Sequence, residues 1–443
     1  MTDGDTLLVL GGGNGGATQA KAEVEVAGGA VGTLYGGGKQ GGYADGIGVK
    51  LSGTASVGTL YAGVLHTKNN GNFTVSGAVT LAVTGGSVSG YTFGGGKVSV
   101  NGSESVTYSN DINLAVTGGK FAKSVYGLGY ATGTAASATA LTMASGHAVN
   151  VNIDGGTFDT DLYLGALADK AIAYAPSLNA TVTEGTIGGT LYGGGFAQRG
   201  GAANAGAVTI DVSGGTIGSI VGGGSHVNNE NTGTTTVDSV AITVSGGTIG
   251  KLYAGGLYNE GKTGYYGADT VTGDAVVTLT GSTAKIGKAA GSWNGFDTVE
   301  GDRKLVLDDF TGTCGTICDF DIVTFGSANT ANVLTGTTVY NVGCWSFDVR
   351  GRTAADTAFV DLRSSTLTMS ESTTLDLRLA SAAEWSLAQV NGSPFAGIDC
   401  RVFLGDATTA TTVKFGAAIA SGTFAGYGFT VDDGMLKFGV LSA

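Results

Sequence analysis

Apolar and polar residues alternate along this chain in short runs, and the spacing is that of strands rather than helices. Val49-Lys50-Leu51, Leu81-Ala82-Val83, Val151-Asn152-Ile153, Ile210-Asp211-Val212 and Ile242-Thr243-Val244 each set two apolar side chains on one face of an extended segment. Each run is followed by a glycine pair or its equivalent, a second short apolar strand, and a second glycine cluster. The unit reads AGGAVGTLYGGG at 27–38, TGGSVSGYTFGGG at 84–96, TEGTIGGTLYGGG at 183–195 and SGGTIGKLYAGG at 245–256. Further copies lie at 52–64, 117–129, 154–166 and 213–224, with a degenerate one at 280–291.

The period is roughly 25 to 37 residues. Helical repeats of that length are excluded, because each paired glycine would cost a helix about 1 kcal/mol. Propeller blades need about 40 residues and hairpins, and hexapeptide coils leave no room for insertions. The pattern predicts an all-β chain, a single-stranded parallel β-helix (a β-solenoid, right-handed) with a C-terminal β-hairpin cap. At about 4.8 Å per repeat, nine copies would span about 40 Å. The glycines are expected at corners, where positive φ carries little penalty only without a Cβ.

One slot in the unit is aromatic: Tyr35, Tyr61, Phe93, Tyr126, Tyr163, Tyr192 and Tyr253, with Val221 in one copy. Stacked in register, these rings would brace successive repeats. The same row is the candidate binding surface, a platform on which sugar rings could stack. Segments inserted after the second glycine cluster (39–45, 65–72, 97–111, 130–146, 168–177, 196–206, 225–238 and 257–273) are expected to be loops on one edge, often the binding side of such folds. Among them, Lys68-Asn69-Asn70, His226-Val227-Asn228-Asn229 and Tyr258-Asn259, with Tyr265-Tyr266 beyond it, are polar, and their Asn and Tyr groups would suit a glycan.

The glycine clusters stop near residue 297, where Leu, Asp and Arg rise. Residues 1–296 are therefore read as glycine-rich irregular coils with loop insertions, and 297–443 as continuing coils and a cap. In GYGFTVDDGMLKFGV, Asp433-Gly434 sits between two alternating strands and predicts a terminal hairpin. Cys318 and Cys344 are spaced by about one repeat and are the candidate disulfide; buried free thiols are the alternative. No histidine lies near the cysteines in sequence, so no metal site is expected, and no cofactor motif is present.

Composition narrows the function. The 443 residues hold 82 Gly, only 2 Pro and 13% charged residues, without the glycine period of collagen. A net charge of −13 opposes nucleic acid and anionic membranes, and no apolar run reaches the ~20 residues of a membrane helix. The N-terminal MTDGDTLLVLGGG lacks the basic segment and apolar core of a signal peptide. Candidate catalytic carboxylates are Asp308, Asp309, Asp319 and Asp321, with Arg350 and Arg352 about one repeat on, but adjacent strand residues face opposite ways.

The strand–GG–strand–YGGG units and the terminal hairpin resemble secreted bacterial parallel β-solenoid proteins, those like autotransporter passengers and pectin-lyase-like adhesins. The resemblance implies an extracellular or cell-surface location. It also implies a structural or adhesive scaffold that partners glycans or other copies of itself. Two alternatives stand beside it: a polysaccharide-degrading lyase or hydrolase of the β-helix class, and a phage tail-fibre or spike module.

Overall fold

A computed structural model of the chain describes residues 8–13, 18–67, 71–102, 104–133, 139–226, 233–256, 269–292, 298–326, 332–353 and 355–441. The protein is all-β, and its sheets are built mainly of parallel strands. Among the described residues helical structure is confined to a 3-10 turn at Gly422–Phe424. The strands form one 32-stranded, one six-stranded and one five-stranded sheet.

The alternating runs lie on one another, like on like. From Ala22–Val26 through Ile47–Leu51 to Asp399–Leu404, fourteen strands pair in parallel, each with its counterpart in the next repeat. One column of this ladder runs Val49, Leu81, Leu114, Val151, Ala180, Ile210, Ile242, Val277, Leu305, Val323, Trp345, Leu375 and Cys400, and every member is buried. Each Val, Leu or Ile so buried contributes about 1.5–3 kcal/mol of transfer free energy. The opposite face carries polar residues, among them an amide ladder. Asn150 Nδ2 donates to Asn113 Oδ1 at 2.9 Å, and Asn179 Nδ2 to Asn150 Oδ1 at 2.9 Å. The ladder crosses residue 297 without interruption, since Val277 pairs with Leu305.

The two glycine clusters do different work. In the first, Gly86, Gly119, Gly156, Gly215 and Gly247 have φ between 76° and 89°, the left-handed corner expected of glycine. In the second, Gly36, Gly94, Gly127, Gly193 and Gly222 are needed for closeness instead. A Cβ at each would run into the carbonyl oxygen of the next repeat, that of Ala62, Gly127, Leu164, Gly222 and Ala254 respectively. In the C-terminal third other residues take left-handed turns. Asp309 (φ 54°) stands one repeat beyond Gly281 (φ 69°), and Asp319 (φ 60°) and Asn341 (φ 52°) turn the chain after the aromatic slot. Asp and Asn tolerate this conformation better than other non-glycine residues.

The inserted segments are not simply projecting loops, contrary to the sequence expectation. Leu65–His66, Lys97–Ser99, Tyr130–Thr132, Leu167–Asp169, Phe196–Gln198 and Ser225–His226 pair in parallel as the six-stranded sheet. Runs of two or three residues are too short to show alternation, so their strand character was hidden. Lys68-Asn69-Asn70, Val227-Asn228-Asn229, Tyr258-Asn259 and Tyr265-Tyr266 lie outside the described residues, whereas His226 is buried with its Nδ1 2.8 Å from Asp269 Oδ2 and so is not an exposed loop group.

At the C-terminal end, Tyr427–Asp432 and Met435–Val440 form the antiparallel hairpin, turning at Asp433 (φ 46°) and Gly434 (φ 73°). Its second strand pairs antiparallel with Trp385–Gln389, and Thr411–Lys414 pairs antiparallel with the last long ladder strand, Asp399–Leu404. Both pairings occupy edges that would otherwise invite association.

Two stability predictions follow from these contacts. Gly94→Ala is expected to destabilise the protein by about 1–3 kcal/mol by overpacking against Gly127 and Leu114. Gly102→Ala, whose Cβ would approach only the Glu104 side chain at 3.7 Å, is expected to change the denaturant midpoint little. Arg352 is 6% exposed, stacks its guanidinium 3.7 Å from the Phe359 ring centroid, and has no hydrogen-bond partner for its three side-chain nitrogens among the described residues. Burial lowers its pKa. Arg352→Met should therefore hold stability or raise it by about 1–2 kcal/mol in guanidinium denaturation, because desolvating an unpaired charge is costly. A clear fall would show that the charge is compensated.

Candidate functional site: an aromatic groove

The aromatic slot stacks in register as a continuous column. Ring centroids are 4.6 Å apart for Tyr35–Tyr61, 4.7 Å for Tyr61–Phe93, 5.2 Å for Phe93–Tyr126, 5.0 Å for Tyr126–Tyr163 and 4.4 Å for Tyr163–Tyr192, with planes within 12° of parallel. The column continues in register as Val221, Tyr253, Ala290 and Cys318. The tyrosines are 4–7% exposed and Phe93 1%, so these residues cannot offer ring faces to a ligand. Burial pushes the phenols of Tyr35, Tyr192 and Tyr253 up to about 12 and raises those of Tyr61, Tyr126 and Tyr163 well above the ordinary phenol range, so the column stays neutral. As placed, it braces the repeats.

What buries the row also makes a recess beside it. Four residues after each aromatic slot comes a position on the six-stranded sheet: Leu65, Lys97, Tyr130, Leu167, Phe196 and Ser225 in register. Leu65, Tyr130, Leu167 and Phe196 pack against the aromatic row. Tyr130 stacks 5.7 Å from Phe93 at 15°, whereas Phe196 meets Tyr163 at 5.5 Å and 60°. Leu167 between them is not aromatic. Tyr130 and Phe196 are thus two ladder steps apart, about 9.6 Å, with a gap between their rings.

On the other side Tyr91, 42% exposed, leans against Phe93 and Tyr126 at 6.3 Å from each. It lies two residues before Phe93 and so shares its side of the chain. The resulting groove has a volume of about 210 Å3, walled by Tyr91 on one side and by Tyr130, Leu167 and Phe196 on the other, with Gln198 at its end. Its floor is Tyr61, Phe93 and Tyr126. This is smaller than the 300–1,000 Å3 of a drug-sized pocket and matches one sugar ring.

The rim is basic. Lys97 Nζ lies 5.5 Å from the Tyr130 ring centroid and Lys123 Nζ 5.3 Å from that of Tyr91. Nearby, Asp169 is buried and its carboxylate is held by Arg199, whose Nε donates to Oδ1 at 2.6 Å, while the Tyr130 hydroxyl donates to Oδ2 at 3.3 Å. Tyr130 is fixed by this contact and by its stacking on Phe93. Sequence reasoning placed Lys97, Tyr130 and Phe196 at the starts of insertions but missed them as a wall, and missed Tyr91 and Lys123 altogether. The constant offset of four from the aromatic slot was the available signal.

The candidate carboxylates do not converge. Asp321 accepts from Arg303 N and Nε at 2.8 and 3.0 Å, beside the start of the strand that ends in Asp308. The two are therefore about 16 Å apart along the strand, beyond the spacing of paired glycosidase carboxylates. Asp309 and Asp319 are the left-handed turn residues described above, and Asp319 Oδ1 accepts from Asn341 Nδ2 at 2.8 Å. Arg350 is engaged by Asp348 at 2.6 Å and Asp406 at 2.5 Å, and Arg352 is buried. Among the described residues no group of three or more His, Cys, Asp or Glu is placed to hold a metal ion.

Cys318 and Cys344 are not bonded, correcting the expected disulfide; all four cysteines are free and buried. The repeat here is 22 residues, which stacks Cys318 on Tyr340 and Ile322 on Cys344, so the two thiols belong to different ladders. Burial pushes Cys314 and Cys400 up to about 12 and Cys318 and Cys344 up to about 11. At pH 8 the native protein should give almost no reaction with a thiol reagent, and four thiols after denaturation without reductant. A count of two would restore a disulfide.

Compared with known proteins, the chain matches no family model, no curated protein and no solved structure.

Proposed function

We propose that this chain is an extracellular, surface-exposed scaffold of structural and adhesive kind: a right-handed, single-stranded β-solenoid that engages glycans. Its parallel ladders and repeat-long connections support the winding, and the resemblance to secreted bacterial β-solenoids supports the location. The observation that carries the adhesive part is the groove beside the ring column. Tyr91 and Tyr130 flank it on opposite sides, over a floor of rings that the repeating column braces. A pyranose presents an apolar C–H face that an aromatic ring can cover and a hydroxylated rim that Gln198, Lys97 and Lys123 can meet. Such a site retains a sugar without any acid–base pair to cleave it.

The test is to pass the intact chain over immobilised neutral and acidic polysaccharides. Retention is measured alongside release of reducing ends and of unsaturated uronate absorbing near 235 nm. Retention without product is expected, and Tyr91→Ala should weaken it about tenfold, or about 1.4 kcal/mol. Product release would replace the scaffold reading with the degradative one. Absence of retention on every polysaccharide would end the glycan reading.

A further inference from the structure

We infer that the groove selects a single carboxylated sugar residue, presented at the end of a glycan. The inference rests on the glycan-binding reading and sharpens it in two ways, by size and by charge.

Size argues for one residue. The aromatic positions on the six-stranded sheet do not form a continuous platform, because Lys97 and Leu167 alternate with Tyr130 and Phe196. The gap over Leu167 is two ladder steps wide, about 9.6 Å. A volume of about 210 Å3 offers no second subsite of comparable depth. The buried floor is covered by its own walls, so a long chain has no run of exposed ring faces to follow.

Charge argues for a carboxylate. The protein carries a net −13, yet Lys97 lies over Tyr130 and Lys123 over Tyr91, one lysine beside a ring of each wall. Among the described residues neither Lys97 nor Lys123 forms an ion pair, unlike Lys120, which is bound to Asp159 at 3.0 Å, and Arg199, which is bound to Asp169. The one buried carboxylate at this wall, Asp169, is already neutralised by Arg199 and hydrogen-bonded by Tyr130. Asp161, one ladder step past Ser124 on the Tyr91 side, is partly buried and accepts from Thr190 N at 2.8 Å. Against that carboxylate the groove offers an incoming anion two lysines that form no ion pair among the described residues, while the charge of Asp169 is spent internally. Stacking positions the ring, and the lysines choose the acid over the neutral sugar.

Methyl β-glucuronide and methyl β-glucoside differ only in the C6 carboxylate and are the probes. Their binding to the intact chain is followed by NMR or calorimetry at 20 and 300 mM salt. The glucuronide should bind at least tenfold tighter than the glucoside at low salt, with the advantage shrinking at high salt. Lys97→Met with Lys123→Met retains the apolar stems and should abolish the preference, while Lys97→Arg with Lys123→Arg should keep it. Equal binding of both probes, or an unchanged preference in the double Met variant, would overturn the inference. If neither probe binds while the polysaccharide column still retains the protein, the groove is the wrong site and the adhesive reading survives. If the column also fails, that reading falls with it. A near-ultraviolet dichroism spectrum identical to wild type shows that the double variant retains its ring column.

Discussion

In-register parallel pairing is the constraint from which the rest of this structure follows. Once each strand lies directly on its counterpart, every side chain has its equivalents about 4.8 Å above and below. A position must then hold something that stacks well on its own kind. Aliphatic residues do so in the buried column from Val49 to Cys400, tyrosines in the ring column, and asparagines in the amide ladder. Where the backbone of one repeat presses hardest on the next a Cβ would collide, as at Gly36, Gly94 and Gly127, although Ala62, Leu164 and Ala254 take the same slot in other repeats. A residue's place in the stack explains its chemistry more often than a ligand does.

That same constraint made much of the fold legible in the sequence. The ring slot, the alternating strands and the Asp433-Gly434 hairpin each repeat or terminate a pattern that a single strand can display. The six-stranded sheet was not legible, because its members are two or three residues long and their meaning lies only in the column they share. Glycine was read as a corner residue throughout. Half of that was right: Gly247 needs its positive φ, whereas Gly222 needs room for the Ala254 carbonyl.

The acidic candidates show how a structural substitution can imitate chemistry. Asp309 follows a glycine at a left-handed corner, and Asp319 and Asn341 turn the chain where the glycine clusters have ended. Sequence alone presents them as a carboxylate cluster appearing just as the glycines disappear. Asp309 replaces glycine at the same left-handed corner as Gly281, whereas Asp319 and Asn341 turn the chain at a slot where Gly291 and its equivalents do not have positive φ. The cysteine pair was misread for a related reason, since the repeat contracts to 22 residues and carries Cys344 into the other ladder.

A stack that rewards likeness makes departures from likeness informative. Thr33, Thr59, Ser124 and Thr190 occupy positions equivalent to Tyr91, two residues before the ring slot, so a large exposed ring there gains no stacking partner from its own column. Leu167 likewise interrupts Tyr130 and Phe196 in a column that a third ring could have completed. Both departures border one recess and neither improves the packing of its column. Residues that serve the fold converge on their neighbours; these differ from theirs, and they do so around the same small volume. For this reason the proposed recognition is assigned to the groove, rather than to the ring column or to the edge of insertions on which the sequence placed function.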